Sequence, residues 1–259
     1  MPYYPILQAP FAKGLTTLAN FPPNNWELKS SDKFVNVSWA SGGSWNTKNL
    51  GLLLAGKFLS FTEGDLKKTI PEDAFPFLSL TSQSLPNRSS NLPSLTDKTS
   101  ILPISRATIG LKSKSSHVSY QGEINQFPAP ASLLSFCPLI QMGDEIKNYL
   151  LFLNLESSAV LRSSEIEIFD SKTLELRYKT KVENNRLTVI SLDGLSFNLN
   201  SLPLVVCREM SGIPLFYSTS LDGNFLSLEH THPPASFVVH GRRWDAQKIL
   251  KKKWLTRLL

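Results

Sequence analysis

Cysteine is scarce in this chain. Cys137 and Cys207 are the only two in 259 residues, and neither has a CxxC neighbour. That argues against a disulfide-dense scaffold or a four-cysteine zinc module, and it suits two reduced thiols acting as small buried hydrophobes. Long apolar runs are missing too: LGLLLAG and YLLFLNL fall well short of the roughly 18 residues a membrane-spanning helix needs. The opening MPYYPILQAPF has no charged, apolar and small-residue leader pattern, so the chain reads as soluble and cytoplasmic. No GxGxxG or GxxxxGK[ST] loop, GxSxG elbow, HExxH pair or kinase-like motif set occurs, which removes support from nucleotide-dependent and common serine-hydrolase chemistry.

Charge is also sparse, at 19% of residues, and its excess of +6 is local. Seven of the 27 basic residues but one of the 21 acids fall in 241–259, leaving 20 of each in the preceding 240 positions. The basicity therefore belongs to the tail, and a nucleic-acid surface over the whole protein is disfavoured. The apolar fraction of 41% indicates a folded chain rather than a disordered one.

What is present is β patterning. From Ile104 onward, short alternating segments recur every ten or twelve residues: ISRATIGL, SHVSYQGEI, SLLSFCPLI, NYLLFLNLE, SEIEIFD, LELRYKTKV, RLTVISL, PLVVCRE, IPLFYSTS, NFLSLEHTH and SFVVHG. This predicts an all-β, mainly antiparallel β-sandwich, immunoglobulin-like or jelly-roll-like. LELRYKTKV-ENN-RLTVISL reads as one hairpin, and SLDGNF, with Asp222-Gly223, as another. The stretch from Tyr149 to Leu192 resembles the strand pattern of immunoglobulin-like domains; this is a resemblance of architecture alone and implies no activity.

Before Ile104, KFVNVSWA and NLGLLLAGKFLSF read as strands, and EGDLKKTI as a short helix stopped by Pro71. Thr81 to Pro103 is rich in Ser, Pro and Asn and reads as a long loop. The expected organisation is an N-terminal β portion over 1–103, including the 81–103 loop and packed on the rest, then a sandwich over 104–241. A basic helix over 242–259 follows, with Ala246, Leu250, Trp254 and Leu258 on one stripe.

Four groups of residues could carry function. In EHTHPP, His230 and His232 at strand spacing i, i+2 project to one face, and His240 on a returning strand would make three imidazoles for zinc or a similar divalent metal. The plainer reading is the end of a hairpin. Trp39 and Trp45 flank the glycine turn of WASGGSW, with Trp26 upstream, where flat rings can stack on sugars. His117 shares the polar face of its strand with Ser119, Gln121 and Glu123 and could line the same groove. Arg242, Arg243, Lys251, Lys252, Lys253 and Trp254 could meet phosphates, acidic headgroups or a protein partner, although their apolar stripe more simply docks on the sandwich. Glu165 and Glu167 share a strand face, as exposed acids often do, and Asn36-Val-Ser38 and Asn87-Arg-Ser89 match the glycosylation acceptor pattern. These features favour a noncatalytic binding protein for a glycan-like polar ligand over a zinc-dependent enzyme or a peripheral module built on the tail, with no resident cofactor required.

Overall fold

The β-branched and aromatic segments form strands throughout, in a computed structural model that describes residues 3–21, 31–93, 106–121, 124, 126–127, 129, 131–138, 144–195, 197, 201–230 and 243–258. The side chains of 106 and 243–247 are outside that description. The N-terminal half contains β1 (Tyr4–Pro5), β2 (Gln8–Ala9), β3 (Ala12–Ala19), β4 (Lys33–Ser41), β5 (Ser44–Leu53) and β6 (Phe58–Thr62). Then come the one-turn helix α1 (Glu63–Leu66), β7 (Phe77–Thr81), β8 (Arg88–Ser89), β9 (Arg106–Lys112) and β10 (His117–Gln121). They build two antiparallel sheets: sheet I, in the order β1-β7-β4-β5-β8, and sheet II, in the order β10-β9-β3-β2 with β6 also on β3.

Local chemistry fixes the turns. WASGGSW closes the β4–β5 hairpin through Gly42 and Gly43, whose φ values of 56° and 71° suit a two-residue turn that glycine enters at little cost. At α1 the Thr62 amide and hydroxyl both donate to the Asp65 carboxylate at 2.7 Å, and these bonds hold that carboxyl below its usual range.

The C-terminal half contains β11 (Leu133–Phe136), β12 (Ile146–Leu153), β13 (Ser163–Asp170), β14 (Leu176–Glu183) and β15 (Leu187–Ser191). It continues with β16 (Pro203–Cys207), β17 (Ile213–Ser220), β18 (Leu226–His230) and α2 (Arg243–Arg257). Sheet III runs β11-β16-β13-β14 and sheet IV runs β15-β12-β17-β18. Between them lie Leu150, Phe152, Ile166, Ile168, Val205 and Phe216, with both cysteines buried as thiols in the same core. The antiparallel all-β sandwich expected from the strand spacing is present, and α2 ends the described chain.

Three expectations change. The ENN segment does not close a hairpin: β14 pairs with β13 in sheet III and β15 with β12 in sheet IV, so the chain arches from one sheet to the other. Asn185 takes the left-handed conformation (φ 56°), as the turn reading requires. What holds the arch is side-chain bonding, with Asn184 Nδ2 donating to Glu156 and Val160 O, and Asn185 Nδ2 to Ser158 O. The division at residue 103 does not coincide with a division between sheets, because β9 pairs with β3 along seven residues and brings β10 with it into sheet II. Part of the expected 81–103 loop is a strand: β8 pairs with Trp45 and Asn46, and Leu92 is buried with its amide on Ser157 O.

The two halves share core. The inner face of sheet II covers sheet I through Leu18 and Ala107, and it covers the outer face of sheet IV through Ile109 and Leu111, which meet Leu151, Leu215, Tyr217 and Leu228. Helix α2 closes the outer face of sheet III, where Leu258, Trp254 and Leu255 pack on Leu134, Phe169, Leu204 and Val206. That leaves the outer face of sheet II without a covering layer among the described residues.

Candidate functional site

Strand alternation determines what this face carries. On β3, Gly14, Thr16 and Leu18 are buried, so Lys13, Leu15 and Thr17 turn outward. Direct cross-strand partners share a face, and three rows follow. Lys13, Lys112 and His117 form the first; Thr62, Leu15, Gly110 and Ser119 the second; Ser60, Thr17, Thr108 and Gln121 the third. Lys13, Lys112, His117, Ser119 and Gln121 are exposed, and the Thr17 and Ser60 hydroxyls are 2.7 Å apart.

The first row is electrostatically unusual. Lys13 and Lys112 stand directly opposite each other, an arrangement that costs rather than contributes stability. Neither they nor Lys114 forms an ion pair with a carboxylate among the described residues. Lys13 does act on the Glu63 carboxyl, opposing the rise that burial imposes on it. All three lysines line a groove of about 660 Å³ together with Phe11, Thr62 and Ser113. Phe11 is 50% exposed and sits at φ 63°, a conformation uncommon for a bulky residue. Its neighbour Pro10 is pinned through its carbonyl, which accepts the Tyr217 hydroxyl at 2.9 Å.

The turn bearing Lys112 and Lys114 is held as well. Ser113 Oγ donates to Gly223 O, Ser115 Oγ to Asn224 Oδ1 and Ser116 Oγ to Asn224 O, fastening the β9–β10 turn to the β17–β18 hairpin. That hairpin is the Asp222-Gly223 turn anticipated from SLDGNF, with Gly223 at φ 72°. The lysines therefore project from a fixed backbone, which lowers the entropy lost when a ligand orders them.

The other sequence candidates fall elsewhere. Trp39 and Trp45 lie on opposite faces of their hairpin, since Trp39 pairs with Asn46 and Trp45 with Ala40. They form no common platform. Trp45 is 0% exposed, edge-on to Phe77, and its indole N–H donates to Ser157 O at 2.7 Å, so it offers no face to a sugar. Trp39 is half-buried against the core of the first two sheets. His230 ends β18 and stacks on Tyr120, with ring centroids 6.3 Å apart and planes 10° apart; burial pushes the Tyr120 phenol up to about 12. His232, His240, Glu123, Arg242 and Trp26 lie outside the described residues. Among those described, no three His, Cys, Asp or Glu side chains gather as a metal site.

On α2, Trp254 packs edge-on to Phe136 and beneath the Arg257 guanidinium, 4.7 Å from the ring centre, while Lys252 and Lys253 face solvent. Lys251 donates to Ser132 O at 2.6 Å. Arg243 begins the helix. Glu165 and Glu167 are paired with cations: Lys179 Nζ is 2.7 Å from Glu165 and 3.7 Å from Glu167, and Arg208 Nε is 3.2 Å from Glu167. Asn36 is fully buried with its amide on Thr81 Oγ1, so the folded chain withholds it from glycosylation, whereas Asn87 is exposed. His117 is the candidate that the fold sets among other polar exposed groups, in a row with Lys13 and Lys112. Phe11 and the three lysines were not anticipated; their convergence depends on β3 and β9 pairing across more than ninety residues.

No family model, curated protein or solved structure matches the chain.

Proposed function

We propose that the protein is a noncatalytic binding protein whose ligand is an anionic saccharide, a uronate or sulfated sugar, received on the outer face of sheet II. The observation that carries this reading is the cationic pair of Lys13 and Lys112 with Lys114 beside the exposed Phe11 ring, and the His117 imidazole in the same cross-strand row. Two ammonium groups forced side by side on neighbouring strands repel each other, and an anion placed between them removes that repulsion. The hydroxyl and amide rows of Thr17, Ser60, Thr108, Ser119 and Gln121 supply the neutral donors and acceptors that sugar hydroxyls need. The Phe11 ring supplies an apolar face for the C–H side of a sugar.

The test is retention of the full chain on immobilised dextran sulfate and polygalacturonate, with neutral dextran as the control. The wild type is expected to bind the two anionic polymers and to be released by salt. The Lys13→Ala, Lys112→Ala double variant is expected to bind at least about tenfold more weakly, the loss of two charge-assisted contacts of more than 1.4 kcal/mol together. The Lys252→Ala, Lys253→Ala variant on α2 is expected to bind like the wild type. Retention that follows the α2 lysines instead would assign the binding to the helix and sink this reading.

A further inference from the structure

The free edge of sheet II carries a second feature, which adjoins the cationic groove at Thr62 and has its own test. β6 pairs with β3 on one side, and no strand among the described residues pairs with its other side. Lys57 O accepts from Asn20 N across to β3, so strand alternation turns the backbone groups of Phe58, Ser60 and Thr62 outward; the Thr62 amide duly meets Asp65 rather than β3. The edge is uncharged from Phe58 to Phe61, and Ser60 is its one polar side chain. Phe58 is 69% exposed, Leu59 41% and Leu54 53%, with Leu52 and Phe21 also open at the same end. Together they expose on the order of 400–500 Å² of apolar surface, the size of the largest patch a monomer ordinarily carries, and about half of what one partner contributes to a standard interface.

We infer that this edge is a self-association site, at which β6 of two copies pair antiparallel about a two-fold axis through Ser60. The pairing is self-complementary. With Ser60 opposite Ser60, Phe58 stands opposite Thr62 and Leu59 opposite Phe61, and the Lys57 that precedes each strand comes to the end where its mate's Glu63 opens α1, which places opposite charges at both ends of the pair. The outward N–H and C=O groups of Phe58 and Ser60, which β3 does not use, favour a strand over a lipid surface, because hydrocarbon would leave them unsatisfied and a partner strand bonds them. The dimer continues sheet II into its mate and joins the two outer faces.

Sedimentation of the full chain at tens of micromolar should give twice the chain mass. Ser60→Pro removes an N–H that the β3 ladder does not use, and it should return the monomer mass with an unchanged circular-dichroism spectrum and a melting temperature lowered only by the loss of the Thr17–Ser60 hydroxyl bond, as Ser60→Ala lowers it without dissociating the dimer. Ser60→Cys should form a covalent dimer on mild oxidation, since the two-fold axis sets the two thiols opposite each other and both native cysteines are buried; Ser119→Cys, on the same face but a distant strand, should not. A monomer at every concentration, or a dimer that survives Ser60→Pro and does not cross-link through Ser60→Cys, would overturn the inference. So would a monomer that binds phosphatidylserine vesicles through Phe58, losing that binding in Phe58→Lys, which would assign the corner to a lipid surface.

Discussion

At the residue scale, buried polar groups act as locks. Glu156 is almost fully buried and accepts from Arg162 Nη2 at 2.6 Å and from Asn184 Nδ2 at 3.0 Å, while Asn184 Oδ1 accepts the Arg162 amide at 2.7 Å. Asn184→Ala leaves a carboxylate oxygen, a carbonyl and an amide short of partners, and urea unfolding should show a loss of about 2–3 kcal/mol. Trp45→Phe removes one of the two donors on the Ser157 carbonyl, leaving the Leu92 amide, and opens a small cavity, so thermal and urea unfolding should show a loss of about 1–3 kcal/mol with saccharide retention unchanged. These roles were only partly legible. Asn184 and Asn185 announce a turn by residue type, and that turn exists, but the partners that make it an arch come from the 154–162 segment. The tryptophans announce bulk and a polar handle; which face each occupies follows from register, which one-dimensional spacing near a glycine turn does not fix.

At the element scale, α2 was the most legible piece, because its four-residue stripe requires an apolar surface and sheet III provides one at Leu204 and Val206. Its docking also buries part of Lys251, and that desolvation lowers the ammonium's pKa below the ordinary lysine value. The unfolded chain then binds more protons than the folded one in the window between the lowered value and about 10.4, so Lys251 makes stability rise as pH increases through that window. Below the window the full cost of burying the charge is present. Lys251→Met should remove this alkaline slope in pH-dependent urea unfolding, and a slope unchanged in the variant would place its origin elsewhere. The strands themselves were legible from alternation. Their assignment to sheets was less so: β9 and β10 sit next to the C-terminal strands in sequence, but their strongest complement, β3, lies at the other end of the chain.

At the scale of the whole molecule, sheet IV buries both of its faces, one against sheet III and one against sheet II. Neither half is therefore complete alone, and the full chain should unfold in a single transition with coincident fluorescence and circular-dichroism midpoints; two separated transitions would contradict the shared core. Sheet II in turn has its inner face committed and its outer face open among the described residues, and the outer face is the proposed ligand surface. Hydrogen–deuterium exchange with and without dextran sulfate tests that placement most directly. Added protection is expected only over 11–19, 58–62 and 106–121, covering Phe11, β3, β6, β9, β10 and the turn between the last two. Protection confined to α2, or none anywhere under conditions where the polymer is bound, would contradict it.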